Sequence, residues 1–398
     1  MVKDKGTQGE QFVHQLADRS YISHWCFPNP KDEEGDKKEI IDLLIWLSDV
    51  LILISVKNYA FKGNHERYHR NTVEKAIRQI QGAERKLLSS GRDIIVMHPS
   101  RGRVAIQTSA IKQVVRLVVN LGEGEEYYEL GRETTKEQFI SILDRDTVET
   151  LFKELDTIRD LVGYFVEREK MFRVSEKIMV AGREKDLLAI YLGNARQMPD
   201  VSGMAMTAFD IEGAWGNFQT NPQKLARDKE NRQSYFVDEL VIRELSHMLN
   251  GWRIAEPLML LSRFERRIFA KAFFDKYKEY SELAPSKTQD DVFHLKRYQK
   301  IGDVGFTFLF FQKRFDHHAQ RLLPIAMYAH GINDNFSSGS LWAMATDEEM
   351  NRFHFAYQSN PNALGKEELE AIIHDVNILG WNKNLHSSLE NFREIPDI

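Results

Sequence analysis

Asp42, Ser55 and Lys57 are the residues from which chemistry would start. Asp42 interrupts the apolar run IIDLLIWL, and Lys57 closes another, VLILISV, where a long cation has no packing reason to stand. Side chains alternate faces along a strand, so Ser55 and Lys57 point the same way. Burying a carboxylate and an ammonium inside such runs costs several kcal/mol unless they pair or meet a metal. In one reading Asp42 and Lys57 form an internal ion pair and do nothing more. In the other, Glu10 joins them. Asp42, Glu10 and the carbonyl of Val56 are then oxygen donors suited to Mg²⁺ or Mn²⁺. Lys57 would orient or deprotonate an attacking water and offset charge on a phosphorane-like transition state.

Four elements have to position these groups. Thr7 can cap a helix with the stripe Phe12, Val13, Leu16 and Ala17, which carries Glu10. Tyr21 to Phe27 reads as a strand. Glu39–Leu47 and Val50–Tyr59, separated only by Ser48-Asp49, read as a tight hairpin. Asn71 or Thr72 is the expected cap of a helix to about Leu88, with Val73, Ala76, Ile77, Ile80, Ala83 and Leu87 as its stripe. Gln79 lies about 120° from the centre of that stripe, at the boundary between core and solvent. Strands at Asp93–Met97 and Val104–Thr108, joined by HPSRGR, and a further one at Val114–Asn120 complete an α/β domain with a mixed sheet flanked by helices.

This order, a helix with Glu10, a hairpin with Asp42 and x-Lys57, then a helix with Gln79, resembles the PD-(D/E)xK nuclease superfamily. The likeness is to its nuclease-related and restriction-endonuclease-like branch. KEIIDLL, ISVKNY, KAIRQIQGAER and, further on, GREKDLLAIYL also look like a group of uncharacterised bacterial proteins. The nuclease resemblance covers about residues 7–110. It implies a restriction-endonuclease-like fold and a Mg²⁺-dependent nuclease. Asp42 and position 55 would then bind metal, Glu10 would assist, Lys57 would be catalytic and Gln79 would touch the substrate. The departure is Ser55, because the family places Asp or Glu two residues before the lysine. Some members carry serine there and recruit a glutamate from the following helix. Glu74 is the candidate for that role, against a surface pair with Arg78. Glu84 stands in the apolar stripe and is expected either to pair with a buried basic group or to join the site. If neither helps, the domain is an inactive nuclease fold that serves as a nucleic-acid-binding or assembly module.

The charge distribution points the same way. Residues 1–120 hold 19 Lys and Arg against 14 Asp and Glu, the remainder 35 against 45, and the whole chain carries −5. Within the basic third, Lys62, Arg67, Arg70 and Arg78 interleave with His65, Tyr68 and His69, and Arg101 and Arg103 sit on a turn. Cations beside aromatics suit phosphate contacts and base stacking, although such a run is equally what a solvated face looks like. DNA is expected before RNA, on the resemblance alone.

Other chemistries find no footing. One cysteine, Cys26, excludes a disulfide framework and Cys-rich zinc modules. His317, His318 and His354 lack zinc spacing. There is no GxxxxGK phosphate loop and no GxSxG elbow. Hydrophobic residues at 42 % and charged residues at 28 % exclude a wholly disordered or collagen-like chain. The start MVKDKGTQGEQ has no apolar core of a secretion signal, and Ile40–Val56 is too interrupted to span a bilayer. The expectation is a cytoplasmic protein without a membrane partner. A partner protein or a second copy of the chain is left open.

Three segments follow from this reading. Residues 1–125 form the nuclease-like domain. Residues 126–172 form a helical connector opened by the capping sequence Thr135-x-x-Gln138. Residues 173–398 form an α+β domain, with strands at Lys177–Val180 and Val304–Phe311 and a long helix at Asp228–Asn250. Its expected role is recognition or regulation, and the whole would act in defence against foreign DNA.

Overall fold

The strand that carries Lys57 is apolar from Val50 to Ile54 because it lies in the middle of a sheet. This computed structural model describes residues 5–122, 130, 132–134, 138–174, 178–201, 207–283, 294–381 and 393–394. The chain divides into two compact units, the first ending at Arg227 and the second running from Asp228 to Glu394.

The first unit opens with α1 (Lys5–Tyr21) and a short strand, β1 (Cys26–Pro28). The expected strand over Tyr21–Phe27 is thus reduced to its end, because the helix runs on to Tyr21. The hairpin follows as β2 (Leu43–Leu47) and β3 (Val50–Lys57), with Leu43 opposite Ile54 and Leu47 opposite Val50. Ser48 takes the left-handed conformation at the turn, and Trp46 Nε1 donates to its carbonyl at 3.0 Å. A short helix, α2 (His65–His69), passes through one wider turn, Arg70–Glu74, into α3 (Lys75–Leu88). The helical stretch therefore starts at Asn64, whose side chain accepts from Arg67 N at 2.8 Å, and not at Asn71 or Thr72. Thr72 instead turns its hydroxyl back to the Tyr68 carbonyl at 2.8 Å, inside the wide turn.

Next come β4 (Ile94–His98) and β5 (Gly102–Ile106), a separate two-stranded sheet, then β6 (Gln113–Asn120). The main sheet continues through β7 (Arg132–Thr134) and β8 (Phe139–Asp144) before α4 (Arg145–Glu154) and α5 (Ile158–Val174). Its order is β1-β2-β3-β6-β8-β7, with β3, β6 and β8 parallel and the edges antiparallel. Residues 126–172 are thus no purely helical connector, because FISILD is hydrogen-bonded into the sheet beside β6. Of the expected capping sequence, Thr135 lies outside the described residues. Beyond α5 a short parallel pair, β9 (Ile178–Ala181) with β10 (Thr207–Asp210), frames α6 (Glu184–Gly193).

Helix α3 buries Ala76, Ile80, Ala83 and Leu87 against Leu44, Leu51 and Leu53. Each such Leu or Ile contributes about 1.5–3 kcal/mol. Leu51 and Leu53 share a face of β3 with Ser55 and Lys57, so the packing that holds α3 also carries Gln79 over the two polar residues. Helix α1 approaches the end of β3 so closely that a Cβ on Gly9 would stand 2.9 Å from Asn58 Cβ.

In the second unit the strands β11 (His294–Ile301), β12 (Val304–Phe311), β13 (Ser340–Asp347) and β14 (Phe353–Gln358) form one sheet in chain order. β12 and β13 are parallel, joined through the helix Asp316–Asn333. Phe306, Phe308 and Trp342 bury one face against Phe269 of the helix Arg263–Leu283. Leu309, Ala343 and Ala345 bury the other beneath Ala319, Leu323 and Met327. The expected long helix over Asp228–Asn250 is broken into shorter pieces, with Tyr235–Arg243 as its longest part within that span and Asn250 left-handed at its end.

Candidate functional site

Strand β3 is longer than its partner β2, and the site fills the overhang. β2 begins at Leu43, so residues 55–57 of β3 have no strand on that side. Asp42 takes the place of the missing strand. Its Oδ2 accepts the backbone N–H of Val56 at 2.5 Å, the Ser55 hydroxyl at 3.1 Å and the Lys57 ammonium at 3.3 Å. Its Oδ1 accepts from Gln79 Nε2 at 2.7 Å. The Asp42 carbonyl is fixed as well, by Asn29 N at 3.0 Å and His14 Nε2 at 2.9 Å. A carbonyl only accepts, so His14 carries its proton on Nε2.

Lys57 closes the cluster. Its Nζ donates to Gln79 Oε1 at 2.8 Å, Ser55 Oγ at 2.9 Å and the Val56 carbonyl at 3.0 Å, besides Asp42. Ser55 Oγ also faces Gln79 Oε1 at 2.9 Å. Asp42, Ser55 and Lys57 are all buried. The hairpin and α3 thus bring Asp42, Ser55, Val56, Lys57 and Gln79 into one contact set.

Glu10 stands on α1 within electrostatic reach. Burial raises its pKa above the usual carboxylate value, Asp42's negative charge adds to the shift, and His14, Asn29 and Lys57 oppose it. A second carboxyl that the sequence reading missed belongs to Glu39. Its pKa is raised by burial first, then by the charges of Asp42 and Glu10, and by a hydrogen bond to Asp42. No local pattern marks Glu39 as special. Only the pairing of residues 39–42 with residues 29–31, through Ile40 N to Pro30 O and the Lys31–Glu39 bridge, sets it beside Asp42.

Both migrated-glutamate candidates lie elsewhere. Glu74 pairs at the surface with Arg78 at 3.4 Å and His69 at 3.8 Å. Glu84 meets the guanidinium of Arg116 through both oxygens, at 2.5 and 2.7 Å, and accepts from Gln138 at 2.8 Å. Arg116, half-buried, is its basic partner. Neither glutamate contacts Asp42, Ser55 or Lys57.

Lys62, Arg67 and Arg70 are exposed and have no ion-pair partner among the described residues, while Arg78 is held by Glu74. Arg103 pairs with Glu34 at 2.6 Å. Arg101 turns inward: its guanidinium lies 5.2 Å over Trp25 and donates to the His24 carbonyl at 3.1 Å. It braces the β4–β5 hairpin and does not point out as a clamp. His354 binds Asp316 at 2.6 Å, and the rings of His317 and His318 face each other.

Among the described residues no group of three or more His, Cys, Asp or Glu side chains is gathered to hold a metal ion. No helix among them is long and apolar enough to cross a membrane. The chain matches no protein-family model and no curated protein.

Proposed function

We propose that the first unit is a nuclease of the PD-(D/E)xK kind, hydrolysing phosphodiester bonds with Mg²⁺ or Mn²⁺, on DNA in preference to RNA, in defence against foreign DNA. The observation that supports this is the convergence of Asp42, Ser55, Lys57 and Gln79, from the hairpin and the helix after it, in one buried polar cluster. An ion pair alone would need neither Gln79 nor the serine.

The donors as they stand do not fit a bound cation. Asp42 Oδ2 is already taken by Val56, Ser55 and Lys57, and the Val56 carbonyl by Lys57. Ser55 offers a hydroxyl where a carboxylate would be the better ligand. Glu10 and Glu39 are the carboxylates whose pKa the charge of Asp42 raises, yet among the described residues they are not gathered with it to hold a metal ion. On the chain's own side, Lys57 supplies positive charge at the C-terminal end of a parallel strand, where a phosphate's oxygens would be met. Gln79 fixes Lys57 and Asp42 relative to each other. His14 holds the Asp42 backbone in place.

A second reading is favoured by the same saturation: a nuclease fold without catalysis that binds nucleic acid or assembles with a partner. Calorimetric titration with Mn²⁺, beside cleavage of plasmid, linear and single-stranded substrates, separates the two. Metal binding lost in Asp42→Ala, together with cleavage, supports the enzyme. Nucleic-acid binding without either supports the inactive fold.

A further inference from the structure

Immediately beyond Lys57 the chain carries one exposed aromatic ring, Tyr59, and one half-buried ring, Phe61. We propose that Tyr59 and Phe61, ringed by Lys62, Arg67 and Arg70, form a platform that stacks the bases of an unpaired nucleic-acid strand and leads it to the Asp42–Lys57 cluster. This rests on the nucleic-acid reading above and narrows it to a strand whose bases are open.

Tyr59 is 44 % exposed, and no described ring packs on it. Phe61 is half-buried. Its ring lies 4.5 Å from that of His65, tilted, and 5.7 Å from the edge of Tyr68. Tyr68 is the fixed point. It is 5 % exposed, its hydroxyl meets the Asn120 amide at 3.2–3.3 Å, and it lies so close to Gly122 that a Cβ there would stand 2.1 Å from the hydroxyl. Asn120 ends β6 directly beside Lys57 of β3. Phe61 is therefore held at the surface against a ring anchored to the sheet. Phe61 is four positions after Lys57, with three residues between, a span of at most about 14 Å.

The charges match a polyanion. Between Ala60 and Val73 the only carboxylate is Glu66, against Lys62, Arg67 and Arg70. Cations alone serve duplex and single strand alike. Exposed rings do not, because a duplex keeps its base faces in its own stack while an unpaired strand offers every base to an aromatic partner.

The test uses the full chain in EDTA, with fluorescence anisotropy on labelled oligo-dU, oligo-U and a duplex of equal length. The platform predicts tighter binding to an unpaired strand. Phe61→Ala and Tyr59→Ala would each weaken that binding about five-fold or more, with less than about two-fold change on duplex. No described ring packs on Tyr59, so its variant keeps the test open if Phe61→Ala lowers the melting temperature. Replacing Lys62, Arg67 and Arg70 together by Ala would reduce the salt slope of single-strand binding by about 2. Preference between the two oligonucleotides assigns the sugar. Tighter binding to duplex, equal losses on both forms, or no loss overturns the proposal. None of these readings depends on cleavage, so an uncut substrate would remove the nuclease reading and leave the platform standing or falling by itself.

Discussion

The ammonium of Lys57 lies 3.3 Å from the carboxylate of Asp42, both buried where β3 overhangs β2. Removing one partner leaves the other charge buried without its counter-ion. Lys57→Met is expected to lower unfolding free energy by about 3 kcal/mol, measured in urea. Asp42→Asn with Lys57→Met should cost clearly less than the two single losses added together. Additive losses would show that the pair is not coupled.

The ion pairs of Glu84 and Glu74 should differ in weight. Arg116→Met strips a half-buried carboxylate of a two-oxygen partner, an expected loss of about 2 kcal/mol. Glu74→Ala removes only a surface pair and should change stability by less than about 0.5 kcal/mol and leave Mn²⁺ affinity unaltered. A fall in Mn²⁺ affinity in Glu74→Ala would restore that residue to the site.

The second unit carries its own acid sensitivity. His330 is buried with Nε2 unpartnered, and its ring stacks on Tyr298 at 4.6 Å. Burial, with the charge of Lys296 added, lowers its pKa from 6.5 to about 3. The unfolded chain then takes the proton more readily. Stability present above about pH 6.5 is lost as pH falls toward 3, at up to about 1.4 kcal/mol per pH unit. His330→Phe keeps the ring stack and should flatten that acid limb in denaturation curves followed from pH 7 to 4. An unchanged limb would mean the sensitivity lies elsewhere.

A buried triad fixes α5 on α6. Arg168 meets both oxygens of Glu184, at 2.6 and 2.8 Å, and Tyr164 donates to the same carboxylate at 2.5 Å. Arg168→Leu leaves Glu184 charged and buried, and is expected to cost about 3–5 kcal/mol by thermal or chemical denaturation. A loss below about 1 kcal/mol would show that the Arg168–Glu184 pair does not hold the two helices together.

The parts of this architecture visible in the sequence are those where a residue contradicts its surroundings. Asp42 and Lys57 stand out because charge inside IIDLLIWL and after VLILISV has no packing explanation. Gln79 is legible only as a boundary position, because its contact with Ser55 depends on how α3 lies across β3. Glu39 is hidden, because a charged residue in a charged loop carries no contradiction and reaches Asp42 only through pairing with residues 29–31. FISILD falls inside the span that reads as a helical connector, and its place beside β6 is decided by a long-range pairing that local periodicity does not contain. Arg101 looked like a phosphate clamp because turn arginines usually face water. The Trp25 ring beneath it draws it in.

The central claim is that the Asp42–Lys57 cluster hydrolyses phosphodiester bonds. Mn²⁺-dependent nicking of supercoiled plasmid, with wild type beside Lys57→Ala and Asp42→Ala, tests it most directly. The account predicts nicking by the wild type that both substitutions abolish. A wild-type protein that binds DNA and leaves it uncut, or variants that nick as well as the wild type, would contradict it.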